Sequence, residues 1–322
     1  MDTPWYLSPW VVLVFKVVIL LAFVLFNGLF LVWAERKVSA FIQQRLGPMR
    51  VGRPHGWLQL IADALKLLAK EDVIPAAVDR WLFVLAPIVI FAPAFMVYVV
   101  IPFGPTWVAR DLNIGLVYIA AITSFTVVAL FMSGWGSNNK YSLLGAMRSA
   151  AQLISYEVPL VLSVIGVVML AGSLSLNEIV KAQSPVPFIL LQPLGFIVFL
   201  VAGVAELNRT PFDLPEAESE LVAGYCTEYS GMRYVFFFLA EYANVLTLSA
   251  LITTLFLGGW RGPLLPPVVW FLVKTYVMVF VILWIRWTLP RIRVDQLMEF
   301  AWKFLVPVAL LNIAITGIIL MV

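Results

Sequence analysis

The chain has 322 residues, 62% of them hydrophobic and 12% charged, with a net charge of +3 and a mean hydropathy of +0.99. An ordinary soluble domain is about 45–50% apolar and about 25% charged. A chain this short cannot bury so much apolar surface in a water-soluble core, and a disordered chain needs the opposite balance, so the composition leaves a polytopic membrane protein. One cysteine, Cys226, and one histidine, His55, exclude a disulfide, a zinc site, a cysteine-ligated iron–sulfur cluster and a bis-histidine haem within the chain. Any electron-carrying centre must then sit in a partner.

A bilayer-crossing helix needs about 20 mostly apolar residues. Eight stretches qualify, roughly 10–33, 81–103, 112–134, 152–172, 186–205, 234–258, 266–285 and 304–322. Alternating β-barrel segments are not seen. The expected fold is therefore an all-α membrane protein, a single polytopic domain over 1–322 with eight transmembrane helices. Trp10, Trp33, Trp81, Trp107, Trp135, Trp284, Trp287 and Trp302 fall near the span ends, where amphipathic rings prefer to sit. The first span has no small-residue cleavage site closely after it and reads as an uncleaved anchor. Of 21 Lys and Arg, 16 lie in the odd loops (about 34–80, 135–151, 206–233 and 286–303) and 3 in the even loops. That bias places the odd loops in the cytoplasm or an equivalent compartment, with both termini outside. The positive net charge is thus a topology signal and gives no reason to expect nucleic acid. No internal repeat or separate soluble domain is found.

The long odd loops carry short amphipathic helices. Trp57–Lys70 places Leu58, Ile61, Leu65 and Leu68 at helical spacing, with Asp63, Lys66 and Lys70 on the remainder. Such a helix either lies in the membrane interface or walls a cavity at the membrane surface. Before it, Glu35-Arg36-Lys37 ends span one, and Gln44–Gly52 contains a Gly-Pro turn. Lys37 and Arg53 read as positive-inside anchors. Neither phosphate-cradle motif, G-x-x-x-x-G-K-[ST] or G-x-G-x-x-G, occurs.

Ionisable groups within lipid cost roughly 2.5–3.5 kcal/mol or more at a helix centre, so each is a site hypothesis. Glu157 falls ~8 Å inside span four and Glu241 ~10 Å inside span six, both from the cytoplasmic end, at ~1.5 Å per residue. They stand open as protonated interhelical hydrogen-bond donors or as members of a proton relay. Lys274 falls near mid-membrane, where an ion pair would offset its desolvation. Lys16 is within snorkelling reach of the outer surface.

The run Glu206–Leu221, with Glu228 beyond it, brings six acids (Glu206, Asp213, Glu216, Glu218, Glu220, Glu228) against two bases, Arg209 and Arg233. Pro215 reads as a helix start that would favour Asp213, Glu216 and Glu218 through the helix dipole. It does not account for Glu220 one turn after Glu216, where like charges repel, nor for Glu206 and Glu228. Crowded carboxylates raise one another's pKa and titrate as a set.

Several runs together resemble one membrane component of proton-pumping NADH:quinone oxidoreductase, respiratory complex I: the H-subunit (subunit 1) family. They are Glu35-Arg36-Lys37, the Gly47–Gly52 turn, Ser137-Asn138-Asn139-Lys140-Tyr141 through Arg148, Ser155-Tyr156-Glu157, Glu206–Leu221, Glu228-Tyr229, Ala240-Glu241-Tyr242 and Arg291–Gln296. The resemblance covers essentially the whole chain. One departure is Met49, where the family's turn usually has Asn. The resemblance implies a subunit at the junction of the hydrophilic and membrane arms that forms much of a quinone chamber. Glu35, Arg36, Arg45, Asp63, Phe238 and Arg286 would line that chamber and its mouth. Glu157, Glu206, Asp213, Glu216, Glu218, Glu220, Glu228 and Glu241 would form the proton or charge relay. The chain itself would hold no cofactor or metal; quinone is the substrate, and FMN and iron–sulfur clusters belong to partner subunits. Those partners would be the quinone-site 49-kDa-type subunit, cluster-bearing connecting subunits, small membrane subunits and antiporter-like subunits, within lipid. The expected location is the bacterial inner (plasma) membrane.

Three other readings compete. A homologous membrane subunit of a hydrogenase or formate hydrogenlyase would need no quinone chamber. A secondary transporter would show internal repeats and helices broken at mid-membrane, and the prolines Pro87, Pro93, Pro159 and Pro307 follow no matched pattern. A purely structural anchor would not need Glu157 and Glu241 at membrane depth.

Overall fold

The computed structural model describes residues 9–215 and 218–321. Among these residues the regular structure is entirely helical. In chain order the helices are α1 (Pro9–Ile42), α2 (Gln59–Ala69), α3 (Arg80–Met96), α4 (Gly115–Thr123), α5 (Phe125–Gly136), α6 (Lys140–Ala171), α7 (Leu176–Ala182), α8 (Phe188–Leu191), α9 (Pro193–Glu206), α10 (Glu218–Leu221), α11 (Gly231–Leu255), α12 (Pro267–Thr288), α13 (Val294–Glu299) and α14 (Val306–Met321). Seven stretches are long and apolar enough to cross a membrane: Leu13–Ile42, Arg80–Val99, Gly115–Gly136, Lys140–Ala171, Gly231–Leu255, Pro267–Thr288 and Val294–Met321. They correspond to expected spans one to four and six to eight. The chain is a multi-pass helical membrane protein.

Expected span five takes a different form. The chain breaks at Gln192, and α9 has 14 residues. It is ~21 Å long, short of a ~30 Å hydrocarbon core. Pro193 begins it at a position that needs no backbone donor. The break is pinned to α14: the Gln192 amide donates to Thr316 Oγ1 at 2.8 Å and accepts from Asn312 at 3.2 Å.

Three expected loop boundaries move; one is the loop 286–303, most of which is helical because the last span runs from Val294 to Met321. α1 continues past residue 33, so Glu35, Arg36 and Lys37 are helical; Arg209 and Arg286 hold Glu35 there, as described below. The expected loop 135–151 is mostly helix, because α6 begins at Lys140. Asn139 caps it by accepting from the Tyr141 amide at 2.9 Å. Small side chains on this first part of α6 then allow close approach to α5. A Cβ added at Gly134 would lie 2.3 Å from the Ala146 Cβ and 2.8 Å from the Ser142 carbonyl oxygen, the small-residue contact typical of membrane helix pairs. Gly134→Ala should destabilise by about 1–3 kcal/mol through overpacking. It should lower the heat-aggregation midpoint of the detergent-solubilised chain. Trp135→Phe, on the exposed side of the same helix, should leave that midpoint unchanged.

α11 is the central helix and packs against α1, α2, α3, α7, α9 and α12. The fully enclosed large side chains are aromatic or aliphatic with one exception, Arg209. Before α14 the chain makes a π turn over Phe300–Leu305. Pro307 follows it and has no amide to continue the regular ladder.

The two intramembrane lysines are satisfied locally. Lys16 Nζ reaches the Val108 carbonyl at 3.1 Å, in the loop between α3 and α4, which is the snorkelling geometry. Lys274 does not form the expected ion pair. Its ammonium donates to the carbonyls of Leu257, Gly259 and Arg261 at 2.7, 3.1 and 2.6 Å. These lie just past the end of α11, where carbonyl groups lack helical partners and attract a cation.

Candidate functional site

Three helices and one loop bring four charges together. Glu35 on α1 is 5% exposed and Arg209, just after α9, is 2% exposed. Arg209 Nη1 lies 2.6 Å from Glu35 and Nη2 lies 2.8 Å from Glu241 on α11. Arg286, in the last turn of α12, approaches the other Glu35 oxygen at 2.5 Å. The Tyr242 hydroxyl donates to Glu35 at 2.9 Å, and its ring lies 4.4 Å from the Arg209 guanidinium carbon. Two carboxylates and two guanidiniums therefore balance. A planar guanidinium suits this role because its fork can serve two carboxylates at once. Removing one partner would strand a buried charge at a cost of about 3–5 kcal/mol.

A second cluster sits beside the first. A cavity of about 50 Å³ is lined by Ser124, Glu157, Glu206, Asn244 and Thr247, with Thr123, Thr126 and apolar neighbours completing it. No Lys or Arg lines it. Ser124 Oγ lies 2.8 Å from Glu157. The Thr247 hydroxyl is buried beside the cavity. Asn244 is three residues beyond Glu241 on α11, and i,i+3 positions share a helix face. That stripe links the charge network to the cavity. Glu157 and Glu241 both point among helices: one lines a cavity between them and the other meets Arg209.

The sequence-derived chamber residues divide. Arg36 and Asp63 pair at 2.6 Å, with the Gln59 amide on the other Asp63 oxygen at 2.9 Å. Arg45 stands apart and bonds Gln43 at 2.7 Å. Phe238 packs edge-on to Tyr242 at 4.9 Å, next to the charge network. Glu35 and Arg286 are inside that network. The apolar residues Leu58, Ile61, Leu65 and Leu68 of the expected amphipathic helix are exposed on and beside α2.

The expected relay residues divide further. Glu157 and Glu206 share the cavity, while Glu241 is paired to arginine. Glu228 accepts from the Asn139 amide at 2.7 Å, and the Asp213 backbone carbonyl accepts from Arg291. Glu220 is exposed and bound to Arg148 at 2.6 Å. That hydrogen bond and the charge behind it hold the Glu220 carboxyl below its ordinary value. For Glu220 this reverses the expected mutual raising by neighbouring acids. Glu216 and the side chain of Glu218 lie outside the described residues.

Arg209, Tyr242, Ser124, Asn244 and Thr247 were not among the sequence-derived site residues. Two signals were available: Arg209 is a lone base just after Glu206 in an acidic run, and Tyr242 adjoins Glu241. The hydroxyls had no sequence signal, since Ser and Thr are ordinary in membrane helices.

The fold and these clusters define a class: a polytopic helical membrane subunit whose interior holds paired charges and uncompensated carboxylates. Comparison with known proteins narrows it. The sequence model described as NADH dehydrogenase matches residues 15–317. The H subunit of NADH-quinone oxidoreductase from Dehalococcoides mccartyi is 58% identical over 308 residues, covering 96% of this chain and 87% of the relative. The subunit of the same name from Bacillus mycoides is 59% identical over 290 residues, covering 89% and 87%. The chain belongs to the NADH dehydrogenase family of H subunits.

Proposed function

We propose that the chain is the membrane subunit of an NADH-quinone oxidoreductase that forms much of the quinone chamber and couples quinone reduction to proton translocation. The observation that carries this reading is the Arg209 bridge. It ties Glu35, a chamber residue, to Glu241, a relay residue, within one buried network. The cavity holding Glu157 and Glu206 lies one helical turn further along α11.

An apolar quinone tail needs an apolar slot with a few polar groups at its inner end. α1, α2 and α11 pack against one another, and the slot is placed between them in this reading. Phe30, Trp33 and Trp57 stack along it, with Trp33 and Trp57 centroids 4.0 Å apart. Arg36 and Asp63 stand beside this wall, and Glu35, Arg286 and Phe238 lie deeper. Reduction of the quinone draws protons and alters charge in the chamber. A change of charge beside Glu35 acts on Arg209, and through it on Glu241. The carboxylates Glu157 and Glu206, with no cation lining their cavity, are the members free to gain or lose a proton. Glu220 and Glu228 sit on the loop side, where Arg148 and Asn139 fix them; Asp213, Glu216 and Glu218 complete the acidic run.

In this reading α8 and α9 together make the eighth crossing, and the chain forms one membrane domain over 1–322. Both termini face the periplasm of a bacterial inner membrane. FMN and iron–sulfur clusters lie in partner subunits. Those partners are the quinone-site 49-kDa-type subunit, cluster-bearing connecting subunits, small membrane subunits and antiporter-like subunits.

Arg36→Ala tests the chamber. Loss of a charge-assisted hydrogen bond is worth about 1.5–3 kcal/mol, so the apparent quinone KM of the purified complex should rise roughly tenfold or more. NADH oxidation with a soluble artificial acceptor should be unchanged. Equal loss of both activities would assign Arg36 to assembly and overturn its chamber role.

A further inference from the structure

Ser124 stands at the break between α4 and α5, and its single proton has two claimants. Its Oγ lies 2.8 Å from the Ala120 carbonyl oxygen and 2.8 Å from Glu157 Oε1. Both are ordinary O–H···O distances. A hydroxyl has one proton to donate and two lone pairs that accept, whereas the Ala120 oxygen only accepts. With Glu157 ionised, the hydroxyl must choose between the carboxylate and the carbonyl. With Glu157 protonated, both contacts are hydrogen bonds: the carboxyl donates to Ser124 Oγ, and Ser124 donates to Ala120. The Ala120 carbonyl also accepts from the Ser124 amide at 3.2 Å, so the hydroxyl can leave it without orphaning it.

We infer that Ser124 is a positioning residue whose hydroxyl turns with the charge of Glu157, donating to the carboxylate when it is ionised and to Ala120 when it is protonated. The inference rests on the proposed reading that Glu157 changes its protonation during turnover. Ser124 keeps its own proton throughout. The proton reaching Glu157 comes from the other side, through the cavity, whose 50 Å³ has room for roughly three waters. Glu206 at the end of α9 is the other titratable group lining that cavity. Arg209, three residues past Glu206 in the chain, is engaged by Glu35 and Glu241. Each turn of the hydroxyl falls where the α4–α5 helix is already interrupted, so the charge of Glu157 acts on that junction.

The test is a double-mutant cycle in the whole complex reconstituted in vesicles, read as protons moved per NADH oxidised. Ser124→Ala should lower the yield about fivefold, while NADH oxidation by an artificial acceptor is unchanged. In a Glu157→Gln background it should lower the yield no further, because the Gln amide donates to Ser124 in every state. Ser124→Thr and Ser124→Val match each other in shape. Thr, which keeps the hydroxyl, should restore at least half the yield, and Val should not. Independent, multiplying effects of Ser124→Ala and Glu157→Gln would overturn the inference, as would equal yields from the Thr and Val variants. A normal Ser124→Ala beside a defective Glu157→Gln would sink the Ser124 role alone. A normal Glu157→Gln would sink the relay reading with it.

Discussion

Replacing Arg209 with methionine should remove most of the assembled complex from the membrane. Methionine fills similar space, so the loss is chiefly of charge. Arg286 would still hold one side of Glu35, but Glu241 would be left without its cation. Breaking a buried pair from one side costs about 3–5 kcal/mol, a large part of the roughly 5–15 kcal/mol that holds a folded domain together. Arg209→Lys should rescue poorly, because a single ammonium cannot fork between two carboxylates. Combining Arg209→Met with Glu241→Gln removes the stranded charge and should recover part of the assembly. Native gel electrophoresis of solubilised membranes reads the amount directly. Wild-type amounts in Arg209→Met would mean that the four charges do not stabilise the fold.

The paired variant Glu157→Gln with Glu206→Gln should give the opposite signature. Neither carboxylate has a cation lining its cavity, so their loss strands nothing. Removing uncompensated acids from a membrane interior relieves a desolvation cost, and assembly should be normal or improved. Proton pumping per NADH oxidised should fall more than tenfold, because no titratable group remains on the cavity. Quenching of a pH-sensitive dye in inverted vesicles, set against NADH consumption, measures the ratio. Undiminished pumping would remove these two residues from the relay. Glu241 is not equivalent to them, since neutralising it leaves Arg209 half paired.

Much of this was legible in the sequence because membrane helices declare themselves by composition. Seven of the eight apolar stretches became long helices, and the 57–70 pattern became α2 with its apolar face uncovered. The rest depended on contacts that spacing does not encode. Span five could not be foreseen as short and broken, because the break at Gln192 is held by Asn312 and Thr316, more than a hundred residues away. The sequence places the end of the first span at residue 33, because charged residues ordinarily mark a helix leaving lipid. Glu35 escapes that rule through arginines 174 residues further on and beyond. The value of Glu157 and Glu241 as rare intramembrane acids was visible. That one is paired and the other is not depended on where Arg209 lands. The hydroxyls around Glu157 carried no signal, since only their placement distinguishes them from many others.

The charge network also constrains how the chain can be made. Glu35 sits on α1, while its two guanidiniums arrive later, with residues 209 and 286. During insertion the early helices therefore hold an acid whose counterions do not yet exist. Its position near the end of α1 lets it remain in contact with water until the later helices draw it inward. Closure of the bundle around Glu35 is thus tied to translation through residue 286, and the last of the four charges acts as a latch on the helix packing.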